Sequence, residues 1–151
     1  MAETPITLTP AGSGRKLHAF GESVTILVDG TNSSGTCTQW IEETPPGGGP
    51  PPHRHRNEDE MFHVLSGRVA FFDGRTGNWT ELGPGGSAFM PRGSVHTFKN
   101  VGDETSRMLL TTTPSGFETF FGRCAEVFAR AGEPDMPRIM AISAEHGIEF
   151  V

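Results

Sequence analysis

His53 and His55 stand two residues apart in a stretch rich in glycine and proline, residues 45–67, PPGGGPPPHRHRNEDEMFHVLSG. On an extended chain, positions i and i+2 project to one face, so this spacing aims both imidazoles at the same place. Glu60 follows a short polar excursion and opens the next extended run. His96 opens a later one, within residues 85–100, GGSAFMPRGSVHTFKN. Three imidazoles and one carboxylate make a borderline donor set for a divalent transition-metal ion: Fe, Mn, Ni, Co, Cu or Zn, one per chain. On an octahedral ion, four protein ligands leave two positions open for a substrate or for dioxygen. Ligand type alone does not choose among these metals.

The surrounding pattern is that of short strands. Period-2 alternation of apolar residues predicts strands over residues 23–28 and 36–43, a hairpin from 60–65 and 68–72 across Ser66-Gly67, and further strands at 79–82, 87–90, 96–100 and 107–113. Strands at such regular spacing indicate a sandwich or barrel rather than a parallel α/β sheet. The 20 glycines and 12 prolines agree, since they favour tight turns over long helices. The last third changes character. Phe117, Phe120, Phe121, Cys124, Val127 and Phe128 fall on one stripe of an amphipathic helix, with Gly132 as a stop signal. A second short helix is predicted over 137–146, ending at Gly147. Residues 1–14 lack periodicity and read as an arm, 15–115 as the barrel, and 116–151 as a helical extension of the same single domain.

Bulk properties remove several function classes. A net charge of −6 leaves no basic footprint for nucleic acid. No apolar run approaches the ~18 residues of a membrane span. The polar start offers no secretory signal, and Cys37 and Cys124 make no disulfide framework. The expected setting is cytoplasmic and reducing, with a small molecule as the partner. Both cysteines read as small apolar fillers.

The two histidine-bearing segments resemble the paired motifs of the cupin superfamily, G-x5-H-x-H-x4-E-x6-G and G-x5-P-x-G-x2-H-x3-N. Gly47, His53, His55, Glu60 and Gly67 match the first; Gly85, Pro91, Gly93, His96 and Asn100 match the second. At ~5% usage per residue, a chance match at one placement is on the order of 10⁻¹³. The resemblance implies an all-β conserved barrel of jelly-roll type (a double-stranded β-helix) with short C-terminal helices packed outside. It implies a metal inside, held by His53, His55, Glu60 and His96. The flanking pattern is similar to single-domain bacterial cupins of the quercetin 2,3-dioxygenase-like kind. That likeness implies a metal-dependent dioxygenase of a small hydroxylated, aromatic or flavonol-like compound, with Glu60 as ligand at rest and general base during turnover. The alternatives are a cupin isomerase, decarboxylase or lyase using the metal as a Lewis acid, and a non-catalytic metal-dependent sensor.

Other residues read more plainly. His63 has the opposite parity to Glu60 and points away from the site. His18 and His146 have no partners by spacing and read as surface residues. Glu58 and Asp59 read as a solvated acidic edge, with Arg54 and Arg56 as partners. Trp40, Phe62, Phe71, Phe89, Met90 and Phe98 are core candidates, and by parity Phe62 and Phe98 share the faces of Glu60 and His96 and can line a substrate pocket. The phenylalanine stripe reads as core or dimer packing. An exposed N-terminal segment, an uncovered strand edge and the resemblance together lead to the expectation of a homodimer.

Overall fold

The computed structural model describes residues 3–151. Eleven strands and two helices follow one another: β1 (Arg15–Ala19), β2 (Glu22–Val28), β3 (Thr38–Thr44), β4 (His53–His55), β5 (Asp59–Ser66), β6 (Val69–Asp73), β7 (Asn78–Leu82), β8 (Ser87–Met90), β9 (His96–Asn100), β10 (Ser106–Thr113), α1 (Phe117–Phe128), α2 (Met136–Glu145) and β11 (Ile148–Phe150). They form a six-stranded sheet in the order β1-β2-β3-β10-β5-β8 and a five-stranded sheet in the order β11-β4-β9-β6-β7. All pairings are antiparallel. This is a mostly-β jelly-roll sandwich with two short helices, as the strand spacing predicts.

Alternation decides which side chains enter the space between the sheets. Val24 and Ile26 of β2, Trp40 of β3, Phe62 and Val64 of β5, and Met108 and Leu110 of β10 are all buried. Polar residues occupy some of the same inward positions: Glu22, Glu42 and Glu60 are each at most 6% exposed. Burying a carboxyl group is costly unless something compensates it, so these three positions mark where packing is not the only demand.

Two turns show how the chain enforces register. Gly67 closes the β5–β6 hairpin at φ 90, and a Cβ there would lie 3.0 Å from the Ser106 backbone, so any side chain is strained and crowded. In the turn before β9, Ser94 N–H donates to Pro91 O at 3.0 Å, with Gly93 at φ 83 in the third position, the type II pattern. Gly93 N–H in turn donates to His55 O at 2.7 Å, which ties the turn delivering His96 to the strand carrying His55.

Helix α1 starts without a side-chain cap of its own. Its second residue, Glu118, instead accepts from Gly116 N–H at 2.9 Å, from Gly30 N–H at 2.8 Å and from the Thr38 hydroxyl. These bonds pin the helix N-terminus onto β3 and the β2–β3 loop, and a carboxylate there also suits the helix dipole. Phe117, Phe120, Phe121, Cys124 and Val127 are buried, which confirms the stripe. The helix ends at Phe128, before Gly132. Helix α2 begins one residue earlier than the expected 137, where the Asp135 carboxylate accepts from Arg138 N–H at 3.0 Å.

The sequence reading misses three strands. Arg15–Ala19 and His53–His55 are too short or too polar to alternate visibly. Ile148–Phe150 lies in what reads as a tail after Gly147. That last strand matters, because it pairs with β4 and flanks the two histidines: Ile148 faces His55 and Phe150 faces His53 in register. Glu149 sets the clamp with ion pairs to Arg54 at 2.6 Å and Arg56 at 2.5 Å. The expected partnership of those arginines with Glu58 and Asp59 is therefore corrected. Among the core candidates, Phe89 is also corrected. It is 59% exposed, since the edge strand β8 turns it outward. No helix among the described residues is long and apolar enough to cross a membrane.

Candidate metal centre

Strand β4 sends His53 and His55 inward together, as their spacing requires, and His53 pairs in register with His96 of β9. Glu60 comes from β5 in the opposite sheet. His53, His55, Glu60 and His96 are all buried, and one ligand atom from each lies within 4.8 Å of the other three. Glu60 Oε2 is 3.1 Å from His55 Nε2 and 3.3 Å from His96 Nε2. The four residues singled out by sequence thus converge on one point.

What surrounds each imidazole decides which nitrogen faces that point. Nδ1 of His53 lies 2.8 Å from Pro51 O, and Nδ1 of His96 lies 3.0 Å from Ser94 O. Nδ1 of His55 lies 3.3 Å from Glu58 Oε2. Each Nδ1 thus has an oxygen acceptor that fixes its ring, and a ring neutral with its proton on Nδ1 would aim its Nε2 lone pair inward, the arrangement by which protein groups orient histidine ligands. Three imidazoles and a carboxylate, pre-oriented and buried, fit a divalent transition ion, and no feature of the donor set selects one metal.

The electrostatics agree. Burial, with help from His96, pulls His53 down to about 4, so it is neutral at neutral pH. Burial pushes Glu60 up, but His55, His96 and His53 outweigh that and hold it at about 2. Burial likewise opposes charge on His55, yet Glu60 and Glu58 prevail and raise its pKa. The cluster is anionic at Glu60, ready to receive a cation.

Several expectations change here. Glu58 is not a solvated edge; it is 7% exposed and orients His55. Asp59 instead binds the Pro91–Ser94 turn, accepting from Arg92 N–H at 2.9 Å and pairing with its guanidinium at 3.1 Å. His146 is half-buried and meets Arg123 at 3.0 Å, so it does have a partner. His63 does point outward, 2.7 Å from the Ser87 hydroxyl.

A cavity opens from the ligand cluster, and both Phe62 and Phe98 border it. So do Phe117, Phe120 and Phe121 of α1, which corrects the reading of that stripe as packing alone and of the helix as lying merely outside. Phe20 completes this wall from the β1–β2 turn. Its φ of 55 is strained for a bulky side chain, and contacts with Phe120, Phe121 and Phe128 at 5.0–6.3 Å between centroids hold it there. Glu22 and Glu42 also face the cavity. The signal for Glu42 was present in the sequence, since it shares the parity of Trp40.

The match with known proteins follows this geometry. Residues 40–112 match the family described as Cupin domain. That match covers just under half of the chain. Among solved structures, the chain resembles the polyketide cyclase RemF from Streptomyces resistomycificus, at 24% identity over 72% of this chain and 80% of that one, with a TM-score of 0.63. It also resembles KdgF from a Halomonas species, at 17% identity over 66% and 85% of the two chains and a TM-score of 0.58. An oxalate oxidase in complex with glycolate matches at 25% identity over 64% of this chain and 53% of that one, with a TM-score of 0.54. No curated protein matches the chain by sequence. The matched stretch runs from Trp40 of β3 to Thr112 of β10 and so includes all four candidate ligands. Phe20, Glu22, α1 and β11, which complete the cavity, lie outside it.

Proposed function

We propose that this protein is a metal-dependent enzyme acting on a small, neutral, hydroxylated aromatic compound, with dioxygenation as the reaction. The observation that supports this reading most is the make-up of one cavity. Its polar end is the ligand cluster, its walls carry seven phenylalanines, and no lysine or arginine among the described residues lines it. Aromatic walls favour a flat ring, through stacked and edge-on contacts. Away from the ligand cluster, Glu22 and Glu42 line the cavity and no side-chain cation among the described lining residues is there to pair with an anionic group, which favours a neutral substrate.

When bound, a divalent ion supplies Lewis acidity and open coordination positions for a substrate oxygen and dioxygen. The chain's own residues do the rest. Pro51 O, Ser94 O and Glu58 fix the imidazoles, and the phenylalanine walls keep water from the reacting centre. Glu60 is the candidate general base. While it contacts His55 and His96 its basicity is suppressed, and burial raises that basicity once it swings away, so that it can accept a substrate hydroxyl proton.

A second reading is an isomerase, decarboxylase, lyase or cyclase that consumes no oxygen. The buried pair Glu22 and Glu42 favours it, because such a pair can hold and return a proton without any redox partner. Metal analysis of purified protein, then oxygen uptake over flavonols, catechols and diketones, tests both. One ion per chain with oxygen uptake supports the first. Turnover that persists without oxygen moves the assignment to the second, and no turnover in either condition overturns the enzyme reading.

A further inference from the structure

Glu22 and Glu42 are the cavity's carboxyl groups that the ligand cluster leaves unused. In register, Thr38 of β3 and Glu60 of β5 both face Thr112 of β10, so Glu42 sits four positions along β3 from the ligand level. The cavity therefore carries the ligand cluster at one level of the sheet and Glu22 and Glu42 at another, within electrostatic reach of Glu60. At the second level Glu22 of β2 and Glu42 of β3, which pairs with Val24 in register, face the same cavity, and the Trp40 indole N–H donates to Glu42 Oε2 at 2.8 Å. Glu22 Oε1 is buried with no hydrogen-bond partner among the described residues. An unsatisfied acceptor facing a cavity, 94% of its residue buried, is costly to leave unmade and calls for a donor.

We propose that Glu22 and Glu42 form a second polar anchor of the cavity, at which Glu22 Oε1 accepts a hydrogen bond from a ligand hydroxyl remote from the metal-binding oxygen. This rests on the reading that the cavity takes a neutral hydroxylated ring compound. Burial and the neighbouring Glu42 push Glu22 up to about 12, so its carboxyl keeps its proton and gives it to Glu42, which leaves Oε1 as pure acceptor. A ligand donor satisfies it; a ligand carboxylate or phosphate cannot. The anchor thus selects for hydroxyl-bearing ligands and against anions.

The test uses the full chain loaded with Zn²⁺, which has no redox chemistry and so separates binding from turnover. Quercetin and 3-hydroxyflavone offer a metal the same hydroxyl–carbonyl pair, and only quercetin carries further hydroxyls. Calorimetry on wild type is expected to show quercetin bound about 10-fold more tightly, the effect of one hydrogen bond to a buried group. In Glu22→Leu the ratio should fall to within about 2-fold, and Glu22→Gln, which keeps a carbonyl oxygen, should restore it. Equal binding of both probes by wild type, or an unchanged ratio in Glu22→Leu, overturns the anchor while leaving the substrate class standing. If wild type binds neither probe, the substrate reading fails and the anchor with it. Two Zn²⁺ per chain would make the pair a cation site and overturn the proposal. Should Glu22→Leu not fold, Glu22→Met asks the same question, and the wild-type ratio needs no variant.

Discussion

The indole of Trp40 lies flat against the ring of Phe117, with centroids 3.9 Å apart and planes 4° from parallel. One ring belongs to β3 and the other to the first turn of α1, so this stack joins the helix to the barrel at the cavity. Trp40 is fully buried, and its N–H is engaged by Glu42.

Loss of that stack should loosen the helix. Phe117→Ala removes a large buried side chain and one face of the indole's packing, which costs ~3–5 kcal/mol. For a chain of this size that corresponds to a fall in melting temperature of roughly 10 °C. Thermal unfolding followed by circular dichroism checks it; a fall of only a degree or two would show that α1 is held by Glu118 and its other phenylalanines alone.

The proposed metal centre should depend on both ligands and their supports. His96→Ala is expected to lose most bound metal while keeping its β-rich spectrum, because most of the core is apolar and His96 meets it only at the edge of Phe62. Glu58→Ala leaves all four ligands but frees His55 Nδ1, and should weaken metal affinity by ~10–100-fold. Metal titration against a competing chelator measures both. Full-affinity binding by His96→Ala would remove that residue from the ligand set.

The ligands were legible in the sequence because local spacing encodes them: an i, i+2 pair needs only an extended chain, and turns with glycine and proline mark where His96 is delivered. Glu58 was misread for a related reason. Burial of one member of an acidic triplet depends on how β4 and β5 are joined, which no local pattern states. The cavity walls were harder still. Phe117, Phe120 and Phe121 show helical periodicity, but periodicity gives one buried face and not what it is buried against. Phe20, Ile148 and Phe150 reach the cavity from distant points of the chain, and only the closed fold brings them together.

Glu60 separates ligation from proton transfer. Glu60→Gln keeps three imidazoles and an amide oxygen, so bound metal should remain. Activity should fall by ~10²–10⁴-fold if proton abstraction is its main task. Full metal with near-normal turnover would leave Glu60 a ligand only.

Association through the N-terminal arm is expected. Thr7 and Thr9 hydroxyls bond to Asn32 O and Leu27 O, while Ile6 and Leu8 are 89% and 85% exposed. Apolar side chains presented outward from a tethered arm suit burial against a second copy. Light scattering should give a mass twice the 16.3 kDa of one chain, and Ile6→Ser with Leu8→Ser should shift it toward monomer. A wild-type monomer at all concentrations refutes the homodimer.

The buried pair also sets a direction for stability against pH. Glu22 titrates at about 12 in the fold, mainly because burial opposes its charge, against 4.5 ordinarily. Above 4.5 the unfolded chain releases a proton that the folded chain keeps, so stability present below 4.5 is lost progressively as pH rises toward 12. His53, lowered to about 4, works the other way, but its contribution is complete once pH exceeds its ordinary 6.5. Glu60, held at about 2, is complete earlier, above 4.5. His55, raised, loses stability with rising pH as Glu22 does, and Glu42 is raised by the same burial. Comparison with Glu22→Gln in metal-free protein cancels His53, His55 and Glu60, and the glutamine amide keeps a donor beside Glu42, whose shift is linked to Glu22. Glutamine is neutral at every pH and can donate to Glu42, so the variant should gain on wild type by ~1 kcal/mol per pH unit between about pH 7 and about pH 9, near the limit of 1.36 kcal/mol for one proton. Melting temperatures across that range measure the gap. A constant gap would mean that Glu22 is already ionised in the fold, and that the pair does not hold a proton at neutral pH.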